Sequence, residues 1–403
     1  MKYIIILGDG MPDYPLDELG GETPLEYART PNLDLLARCG ETGLAKTVPD
    51  ELLPGSDVAN LAVMGYDPSK YYTGRSPLEA AGMGVELDDE DLTFRCNLVT
   101  LSDDEPYSRK KMLDYSAGEI SSVEAAVLIN EFARLPGIDS LKFYPGVSYR
   151  HLAVWESGPL PDHFRLTPPH DISGREIAEF LPAGEKGAFI LSIMERSSFF
   201  LNGHSLNKER REKGLKPANS LWLWGQGKKP RFDAFRDKYG LEGAIISAVD
   251  LLKGLGRCAS LEVIEVPGAT GTLHTNYSGK VSAALESLQH GLDFVFLHIE
   301  APDEAGHRGE VETKIEAIEK LDAKIVGEML RGLESLADYK LLALSDHPTP
   351  LSLRTHTRES VPFCIYRKGE PVRHPERSFS EKAAAAGLNF DPGWKLMKYF
   401  LTK

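Results

Sequence analysis

Short apolar segments that suit strands alternate with helix-like segments through the second half of the chain. Their order is LEGAIISAVDLLKGLG, LEVIEVPG, KVSAALESLQHG, DFVFLHIE, KIEAIEKLDAKIVGEMLRGL and KLLALSDH. Such alternation is typical of βαβ units, which build a parallel sheet. The chain also opens with a near-continuous apolar run, YIIIL, and such a run suggests a strand buried on both faces. The sequence therefore predicts an α/β fold with a mostly parallel sheet.

The middle of the chain has a different character. The acidic run ELDDEDL is followed by the strand-like TFRCNLVTL and the helical SSVEAAVLINEFARL, and residues 157–230 are rich in Pro, Gly and charge. A chain of 403 residues is also too long for one ordinary hydrophobic core. We predict one α/β domain made from residues 1–87 and 233–403, with an α+β domain inserted at 88–232.

Composition narrows the class of protein. The net charge of -14 disfavours a general nucleic-acid binder, which would carry a basic patch. Four widely spaced cysteines form no CxxC pair, so a disulfide framework is not expected. The apolar stretch at the start is too short for a signal peptide, and no segment approaches the ~20 apolar residues of a membrane span. We expect a cytoplasmic protein without nucleic-acid or membrane partners, and the sequence leaves its oligomeric state undetermined.

Acidic residues and histidines follow three of the predicted strands. Because the carboxyl ends of parallel strands share one edge of a sheet, these side chains should converge there. A group of buried carboxylates needs an offsetting charge, and mixed carboxylate and imidazole ligands suit Zn²⁺ or Mn²⁺. The sequence predicts a metal site at this edge, formed by Asp9, Asp303, His307, Asp346, His347 and His356. His298 and Glu300 end the same strand as Asp303, and they are either competing ligands or residues that orient the ligands.

A serine lies at a predicted helix start. In PGSDVANLAVMG, the turn at Pro54 and Gly55 precedes an apolar helical stretch that begins near Ser56. A helix N-terminus favours an anion, and a serine hydroxyl becomes a good nucleophile when a base or a metal lowers its pKa. Taken alone, Ser56 could equally be an ordinary helix cap.

Motifs along nearly the whole chain resemble one known family. They are LGDGMPD, TPNLDLLA, PGSDVANLAVMGYDP, YYTGRSPLEAAGMG, YPGVSYRHL, TPPHD, KPANSLWLWGQGK, GATG with TNYSGK, HIEAPDEAGH, and SDHPTP with RTHT. Together they resemble the archaeal-type cofactor-independent (2,3-bisphosphoglycerate-independent) phosphoglycerate mutases of the alkaline phosphatase superfamily. The resemblance implies a phosphatase-like sheet sandwiched by helices and an inserted domain that binds substrate.

The resemblance also implies roles for individual residues. Ser56 is the expected nucleophile and becomes phosphoserine. Two divalent metal ions are implied, Mn²⁺ first, with Mg²⁺, Co²⁺ or Zn²⁺ as alternatives, and no 2,3-bisphosphoglycerate. One metal would be held by Asp9, Ser56, Asp346 and His347, and the other by Asp303, His307 and His356. The implied reaction interconverts 3-phosphoglycerate and 2-phosphoglycerate, a step of glycolysis and gluconeogenesis.

The residues that would hold this small phosphorylated substrate are expected in the inserted domain. A bidentate arginine suits a carboxylate or phosphate, and His or Asp side chains could act as acid or base toward the glycerate hydroxyls. The candidates are Arg150, His151, His170, Asp171, Arg210 and Asn219. Arg75 is a further candidate, and Trp222 and Trp224 are expected to be core or hinge residues.

Three other functions fit the same residues. A homoserine-kinase-type phosphotransferase would use the same scaffold without a GxxxxGK[ST] loop. A metal-dependent phosphatase or phosphopentomutase would need the same metals. A regulatory metal-binding module without turnover is disfavoured by the intact Ser56 and the six Asp and His positions.

Overall fold

The chain divides into two units in the computed structural model, which describes residues 1–402. The first unit combines residues 1–72 with residues from 231 onward, and the second unit is residues 73–230.

The strands lie in both units. They are β1 (Lys2–Gly8), β2 (Glu41–Ala45), β3 (Leu92–Leu101), β4 (Met112–Asp114), β5 (Leu141–Tyr144), β6 (Arg150–Trp155), β7 (Ser220–Lys228), β8 (Gly243–Ile246), β9 (Glu262–Val263), β10 (Phe294–Ile299), β11 (Tyr339–Leu344), β12 (Val361–Arg367) and β13 (Leu388–Phe390).

The α-helices connect or flank these strands. They are α1 (Pro24–Tyr27), α2 (Pro31–Cys39), α3 (Ser56–Val63), α4 (Pro68–Tyr71), α5 (Arg75–Gly82), α6 (Ser122–Phe132), α7 (Gly187–Gly203), α8 (Ser205–Glu212), α9 (Phe235–Tyr239), α10 (Asp250–Cys258), α11 (Tyr277–Gln289), α12 (Ala301–Arg308), α13 (Val311–Lys320), α14 (Gly327–Leu333), α15 (Glu381–Ala384) and α16 (Lys395–Thr402). A π-helical segment, Leu321–Val326, joins α13 to α14. None of the helices among residues 1–402 is long and apolar enough to cross a membrane.

The first unit is built on an eight-stranded sheet with the strand order β13-β2-β12-β11-β1-β10-β8-β9. Pairing is parallel throughout except where β12 pairs with β11 and β2. β1 lies at the centre, between β11 and β10, and its apolar residues from Ile4 to Leu7 are fully buried. The arrangement confirms the predicted α/β class with a mostly parallel sheet.

Helices cover both faces of this sheet. Ile4 and Ile6 of β1 share an apolar cluster with residues of α2, α11 and α14. On the other face, the ring of Tyr3 meets Phe400 of α16 edge to face, and Phe294 of β10 stacks on Phe235 of α9. Burial on both faces explains why the strands are apolar along their length instead of alternating with polar residues.

The second unit is built on a five-stranded antiparallel sheet. β3 is its longest strand, and it pairs with β6 and β7 along most of its length and with β4 near its end. Phe94, Cys96 and Leu98 of β3 belong to the apolar core of this unit, which also contains residues of α6 and α7. Helices and antiparallel strands in one unit match the α+β character expected of the middle segment.

The second unit begins earlier than the predicted position 88. Helix α5 (Arg75–Gly82) lies in it and contacts β3, β6 and β7. Ala80 of α5 packs with Leu87, Leu152 and Val154 in a small apolar cluster. This packing involves residues far apart in sequence, whereas the boundary was predicted from the acidic run ELDDEDL alone.

Candidate functional site

Three neighbouring parallel strands of the first unit deliver three aspartates to one edge of the sheet. Asp9 follows β1 directly, Asp346 comes two residues after β11, and Asp303 lies in the first turn of α12 after β10. The strand order β11-β1-β10 makes these strand ends adjacent. All three aspartates are at least 94% buried, with exposures of 2%, 0% and 6% for Asp9, Asp346 and Asp303.

His347 is the point where Ser56 and two of the carboxylates meet. Its Nε2 atom lies 3.1 Å from Ser56 Oγ, 3.4 Å from Asp346 Oδ2 and 3.5 Å from Asp9 Oδ1. Ser56 is the first residue of α3, as the sequence predicted, and Gly55 precedes the helix. The serine hydroxyl therefore lies at a helix N-terminus, where the helix dipole favours an anion.

A second group of ligand-type side chains surrounds Asp303. His307 Nε2 is 3.2 Å from Asp303 Oδ2, and His356 Nε2 is 3.4 Å from Asp303 Oδ1. The two histidine Nε2 atoms are 2.9 Å apart. His307 Nδ1 lies 3.0 Å from the carbonyl oxygen of Arg354, so Nδ1 carries a proton and donates it there.

The electrostatics of the cluster call for positive charge. Burial and the nearby Asp346 and Asp303 raise the pKa of Asp9 well above its ordinary value. Burial lowers the pKa of His347 well below its ordinary value, and the neighbouring His356 adds to that effect. Burial also lowers the pKa of His307, but its hydrogen bond to Asp303 outweighs burial and raises that pKa to about 9. The carboxylates thus repel one another, and His347 is a neutral imidazole.

The donor atoms fit divalent cations. Ligand atoms of Asp9, Asp346 and His347 lie within 4.8 Å of one another, and so do those of Asp303, His347 and His356. Asp9 Oδ1 is fully buried without a hydrogen-bond partner among the described residues. The Nδ1 atom of neutral His347 faces Thr349 Oγ1 at 3.3 Å, which leaves the Nε2 lone pair directed at carboxylate oxygens. A cation between these atoms would bind the unpartnered Asp9 Oδ1 and would separate the His347 Nε2 lone pair from the carboxylate oxygens. Mixed oxygen and nitrogen ligands suit Mn²⁺ or Zn²⁺.

Several residues around these ligands were not assigned from the sequence. Asn60 donates to Asp346 Oδ2 at 2.8 Å, and it lies one helical turn after Ser56 on the same helix, a spacing that could have identified it. Thr349 donates a short hydrogen bond to Asp303 Oδ1 and has no such spacing signal. His298, considered earlier as a ligand or an orienting residue, contacts Asp9 Oδ2 through its Nε2 atom.

The substrate candidates Arg150, His170 and Asp171 lie in the second unit and are exposed. The guanidinium of Arg150 lies over the ring of Tyr149, with 5.3 Å to the ring centroid. His170 Nε2 is 3.6 Å from Asp171 Oδ1, and its ring meets Trp224 edge to face at 5.2 Å. These three side chains are accessible to a ligand.

The other three candidates, His151, Arg210 and Asn219, are buried in the second unit. Arg210 donates to Glu124 and to the carbonyl oxygens of Lys216 and Ala117, so every nitrogen of its guanidinium is engaged. Asn219 exchanges two hydrogen bonds with the backbone of Leu101. Their contacts favour a structural role, and the sequence-based prediction that they bind substrate stays a prediction.

His151 lies on the core side of its sheet. It pairs across the strands with Cys96, a core residue, and its Nδ1 accepts a hydrogen bond of 3.0 Å from the backbone N–H of Gly146. Burial lowers its pKa to about 3, so it is neutral at ordinary pH. Trp222 and Trp224 are both nearly inaccessible and contact the core of this unit, as expected.

Comparison with known proteins gives the same family as the one that the sequence motifs resemble. Residues 37–207 match a family model described as 2,3-bisphosphoglycerate-independent phosphoglycerate mutase. A relative from Geobacter sulfurreducens named probable 2,3-bisphosphoglycerate-independent phosphoglycerate mutase is 52% identical over 404 residues, with 100% of both chains covered.

Two solved structures share the fold. The structure of PH0037 protein from Pyrococcus horikoshii is 30% identical, with a TM-score of 0.81 and coverage of 99% of this chain and 96% of that chain. The cofactor-independent phosphoglycerate mutase from Thermoplasma acidophilum is 26% identical, with a TM-score of 0.63 and coverage of 99% and 98%. Because the similarity extends over the whole length and not over isolated motifs, the chain belongs to the family of 2,3-bisphosphoglycerate-independent phosphoglycerate mutases.

Proposed function

We propose that this protein interconverts 3-phosphoglycerate and 2-phosphoglycerate without 2,3-bisphosphoglycerate, through a phosphoserine at Ser56. The observation that carries the proposal is the 3.1 Å distance from Ser56 Oγ to His347 Nε2, at the edge of a cluster of buried carboxylates and imidazoles. The names of the relatives point to the same reaction.

Two divalent cations complete the proposal. Asp9, Ser56, Asp346 and His347 would hold one, and Asp303, His307 and His356 the other, with Mn²⁺ as the first choice and Mg²⁺, Co²⁺ or Zn²⁺ as alternatives. When bound, such cations lower the pKa of a serine hydroxyl and offset negative charge on a phosphoryl group. His347 belongs to both groups of possible ligands, the one with Asp9 and Asp346 and the one with Asp303 and His356, which is consistent with two cations close together.

The chain's own residues carry the transfer. Ser56 Oγ forms a bond to phosphorus while the bond from phosphorus to one glycerate oxygen breaks, and that oxygen takes up the proton that the serine loses. The oxygen of the other glycerate hydroxyl then forms a bond to phosphorus while the bond from phosphorus to Ser56 Oγ breaks, and the proton of that hydroxyl passes to Ser56 Oγ. The N-terminus of α3 stabilises the added negative charge at this position.

Glycerate must stay bound between the two transfers, because water would otherwise hydrolyse the phosphoserine. We propose that the second unit, as the inserted domain, supplies the residues that retain it. The exposed side chains of Arg150, His170 and Asp171 are suited to this role, since a guanidinium binds a carboxylate and an imidazole exchanges protons with a hydroxyl.

An enolase-coupled assay tests the proposal. The purified protein with Mn²⁺ and 3-phosphoglycerate should form phosphoenolpyruvate without added 2,3-bisphosphoglycerate, and mass spectrometry should detect phosphate on Ser56. Ser56→Ala should abolish turnover. Ser278→Ala is the matched control, because Ser278 is an exposed serine in the first turn of another helix of the same unit.

Three outcomes would contradict the proposal. Residual mutase activity in Ser56→Ala would remove the covalent mechanism. Free phosphate as the main product would indicate a phosphatase. Phosphorylation of homoserine with a phosphate donor, without mutase activity, would indicate the kinase.

We also propose a cytoplasmic location. Cys39, Cys96 and Cys364 are buried as thiols, and free thiols suit a reducing compartment.

A further inference from the structure

A cavity of about 940 Å³ lies in the second unit, between helix α7 and the segment that follows β3. Four of its lining residues are three or four positions apart, which places them along one face of α7. They are Glu195, Ser198, Phe199 and Asn202. A volume of this size is within the range of small-molecule sites in proteins. We call it the Phe199 cavity, and its lining also includes Asp103, Glu105, Tyr107, Lys110, Phe200 and His204.

The Phe199 cavity presents an aromatic surface to solvent. Phe199 is 88% exposed, although it lies well inside a helix. Phe200 follows it in the lining, and its ring meets the ring of His204 edge to face, with 5.6 Å between the centroids. The face of an exposed phenylalanine ring is a surface that both a methylene chain and a cation can cover.

The charges around these rings are mainly negative. Asp103, Glu105 and Glu195 line the cavity, against the single lysine Lys110. Lys110 Nζ lies 2.9 Å from Glu105 Oε1, so these two charges offset each other. Within residues 1–402, Asp103 and Glu195 have no ion-pair partner. Arg211 donates to Asn202 Oδ1 at 2.7 Å beside the cavity, and with its charge included the surroundings are still net negative.

Groups at the base of the cavity can accept hydrogen bonds. Ser198 is 4% exposed, and its Oγ accepts a hydrogen bond of 3.3 Å from Asn202. A hydroxyl oxygen can accept a second one, and among the described residues no other donor takes that place. Burial raises the pKa of Tyr107, and the negative charge of Glu195 adds to this effect, so that carboxylate lies near the buried phenol. The lining thus offers acceptors and negative charge beside aromatic rings.

The carboxylates of the cavity are too widely spaced to hold one metal ion. Among the described residues, the sets of three ligand atoms that lie within 4.8 Å of one another include none of Asp103, Glu105 and Glu195. A small inorganic cation would therefore contact one carboxylate at a time. A flexible chain that carries several charges reaches separated carboxylates and covers the rings with its methylene groups.

We propose that the Phe199 cavity binds a linear organic polycation, a chain of methylene groups that carries two or more ammonium groups. An ammonium group over the face of a phenylalanine ring gains cation–π attraction, and its N–H groups donate to carboxylate and hydroxyl oxygens. The protein's net charge of -14 attracts such cations to its surface. This site belongs to the second unit alone and does not depend on the proposed function.

Spermidine is the probe for this site, and 1,8-octanediol is an uncharged compound with a chain of the same length. Calorimetry would measure the binding of each compound to the full-length protein in the presence of Mn²⁺, which occupies the carboxylates of the proposed metal site. We expect saturable binding of one spermidine per chain and about tenfold weaker binding of the diol. Added salt should weaken the binding of spermidine.

Two exposed side chains of the cavity can be replaced without disturbing a core. Phe199→Ser should weaken spermidine binding about fivefold, because it removes a ring that an ammonium group covers. Glu195→Gln should weaken it about threefold, with a smaller effect at high salt. The matched controls are an exposed aromatic residue and an exposed glutamate that do not line the cavity. They are Tyr27→Ser and Glu179→Gln, and both should keep the affinity of the unmodified protein.

The proposal is overturned if spermidine shows no saturable binding, or if 1,8-octanediol binds as tightly as spermidine. The second outcome would assign the cavity to an apolar ligand. It is also overturned if Phe199→Ser and Glu195→Gln weaken spermidine binding no more than the control variants do, since the amine would then bind elsewhere. Circular dichroism of each variant verifies that it is folded.

Discussion

His298 Nε2 lies 2.9 Å from Asp9 Oδ2, although 289 positions separate the two residues in the chain. The other ring nitrogen of His298, Nδ1, is 3.1 Å from Ser247 Oγ. Burial lowers the pKa of His298 to about 3, so the ring is neutral and donates one N–H. Because the ring is fully buried between its partners, it holds the Asp9 carboxylate in one orientation.

We predict that His298→Leu weakens Mn²⁺ binding about 10- to 100-fold, since partners that orient a ligand have effects of this size. Calorimetric titration of the full-length protein measures it. His374→Leu is the control, because His374 is an exposed histidine of the same unit, and its Mn²⁺ affinity should be unchanged. An unaltered affinity in His298→Leu would show that the contact does not position Asp9.

Metal removal should destabilise the protein. Chelation with EDTA should lower the melting temperature, and Mn²⁺ should raise it progressively. For each bound cation, the free energy of unfolding should rise by about 2.7 kcal/mol at a Mn²⁺ concentration 100 times the dissociation constant. Asp9→Asn should reduce this response, because it removes a ligand of one of the two proposed cations. In EDTA the variant should be at least as stable as the unmodified protein, since it removes one of three mutually repelling buried carboxylates. Melting that is insensitive to Mn²⁺ in the unmodified protein would contradict the metal assignment.

Lys314 and Asp13 form a buried ion pair, with 2.7 Å between Nζ and Oδ2. Lys314 also donates to the carbonyl oxygen of Thr349, and Asp13 accepts from the backbone N–H of Leu351. Lys314→Met should cost about 3–5 kcal/mol in the free energy of unfolding, because it leaves the carboxylate buried and unpaired. Urea unfolding followed by circular dichroism measures this cost.

The control for the ion pair is Lys320→Met, which removes a partly exposed lysine 2.9 Å from Glu316. This change should cost less than about 1 kcal/mol. Adding Asp13→Asn to Lys314→Met should recover part of the lost stability. Equal costs for the buried and the exposed pair would show that Asp13 is hydrated after Lys314 is removed.

His151 should make the stability of the second unit fall in acid. Its pKa is about 3 in the folded protein and ~6.5 in an unfolded chain, so only the unfolded chain binds a proton between these values. The stability contribution is complete above pH ~6.5 and declines as the pH falls toward 3. Between pH 7 and 5, the unmodified protein should lose about 2 kcal/mol more than His151→Leu. If the stabilities of the two proteins change equally with pH in the presence of chelator, the assignment of His151 as a buried neutral imidazole is contradicted.

The convergence of the aspartates could be predicted because each one follows a strand. Apolar runs before Asp9, Asp303 and Asp346 indicated strands of a parallel sheet, and such strands end at one edge. The structure places β1 between β10 and β11, which makes the three ends adjacent. Strand order itself was not contained in the pattern, since an apolar run does not say which other run it pairs with.

The residues of the second unit were harder to judge. Arg150 and Arg210 are both arginines near predicted elements, yet the first is exposed and the second donates to three partners from other segments. Hydrogen bonds between distant segments decide such cases, and they leave no local pattern.

By itself, the sequence determined the fold class, the strand ends that carry Asp and His, and the helix start at Ser56, because periodicity, turn residues and caps act over a few neighbouring positions. Only the tertiary structure decided that His298 orients Asp9, that Asn60 and Thr349 support the other carboxylates, and which arginines remain open to a ligand. Those outcomes depend on which distant segments pack together, and packing is a property of the whole chain.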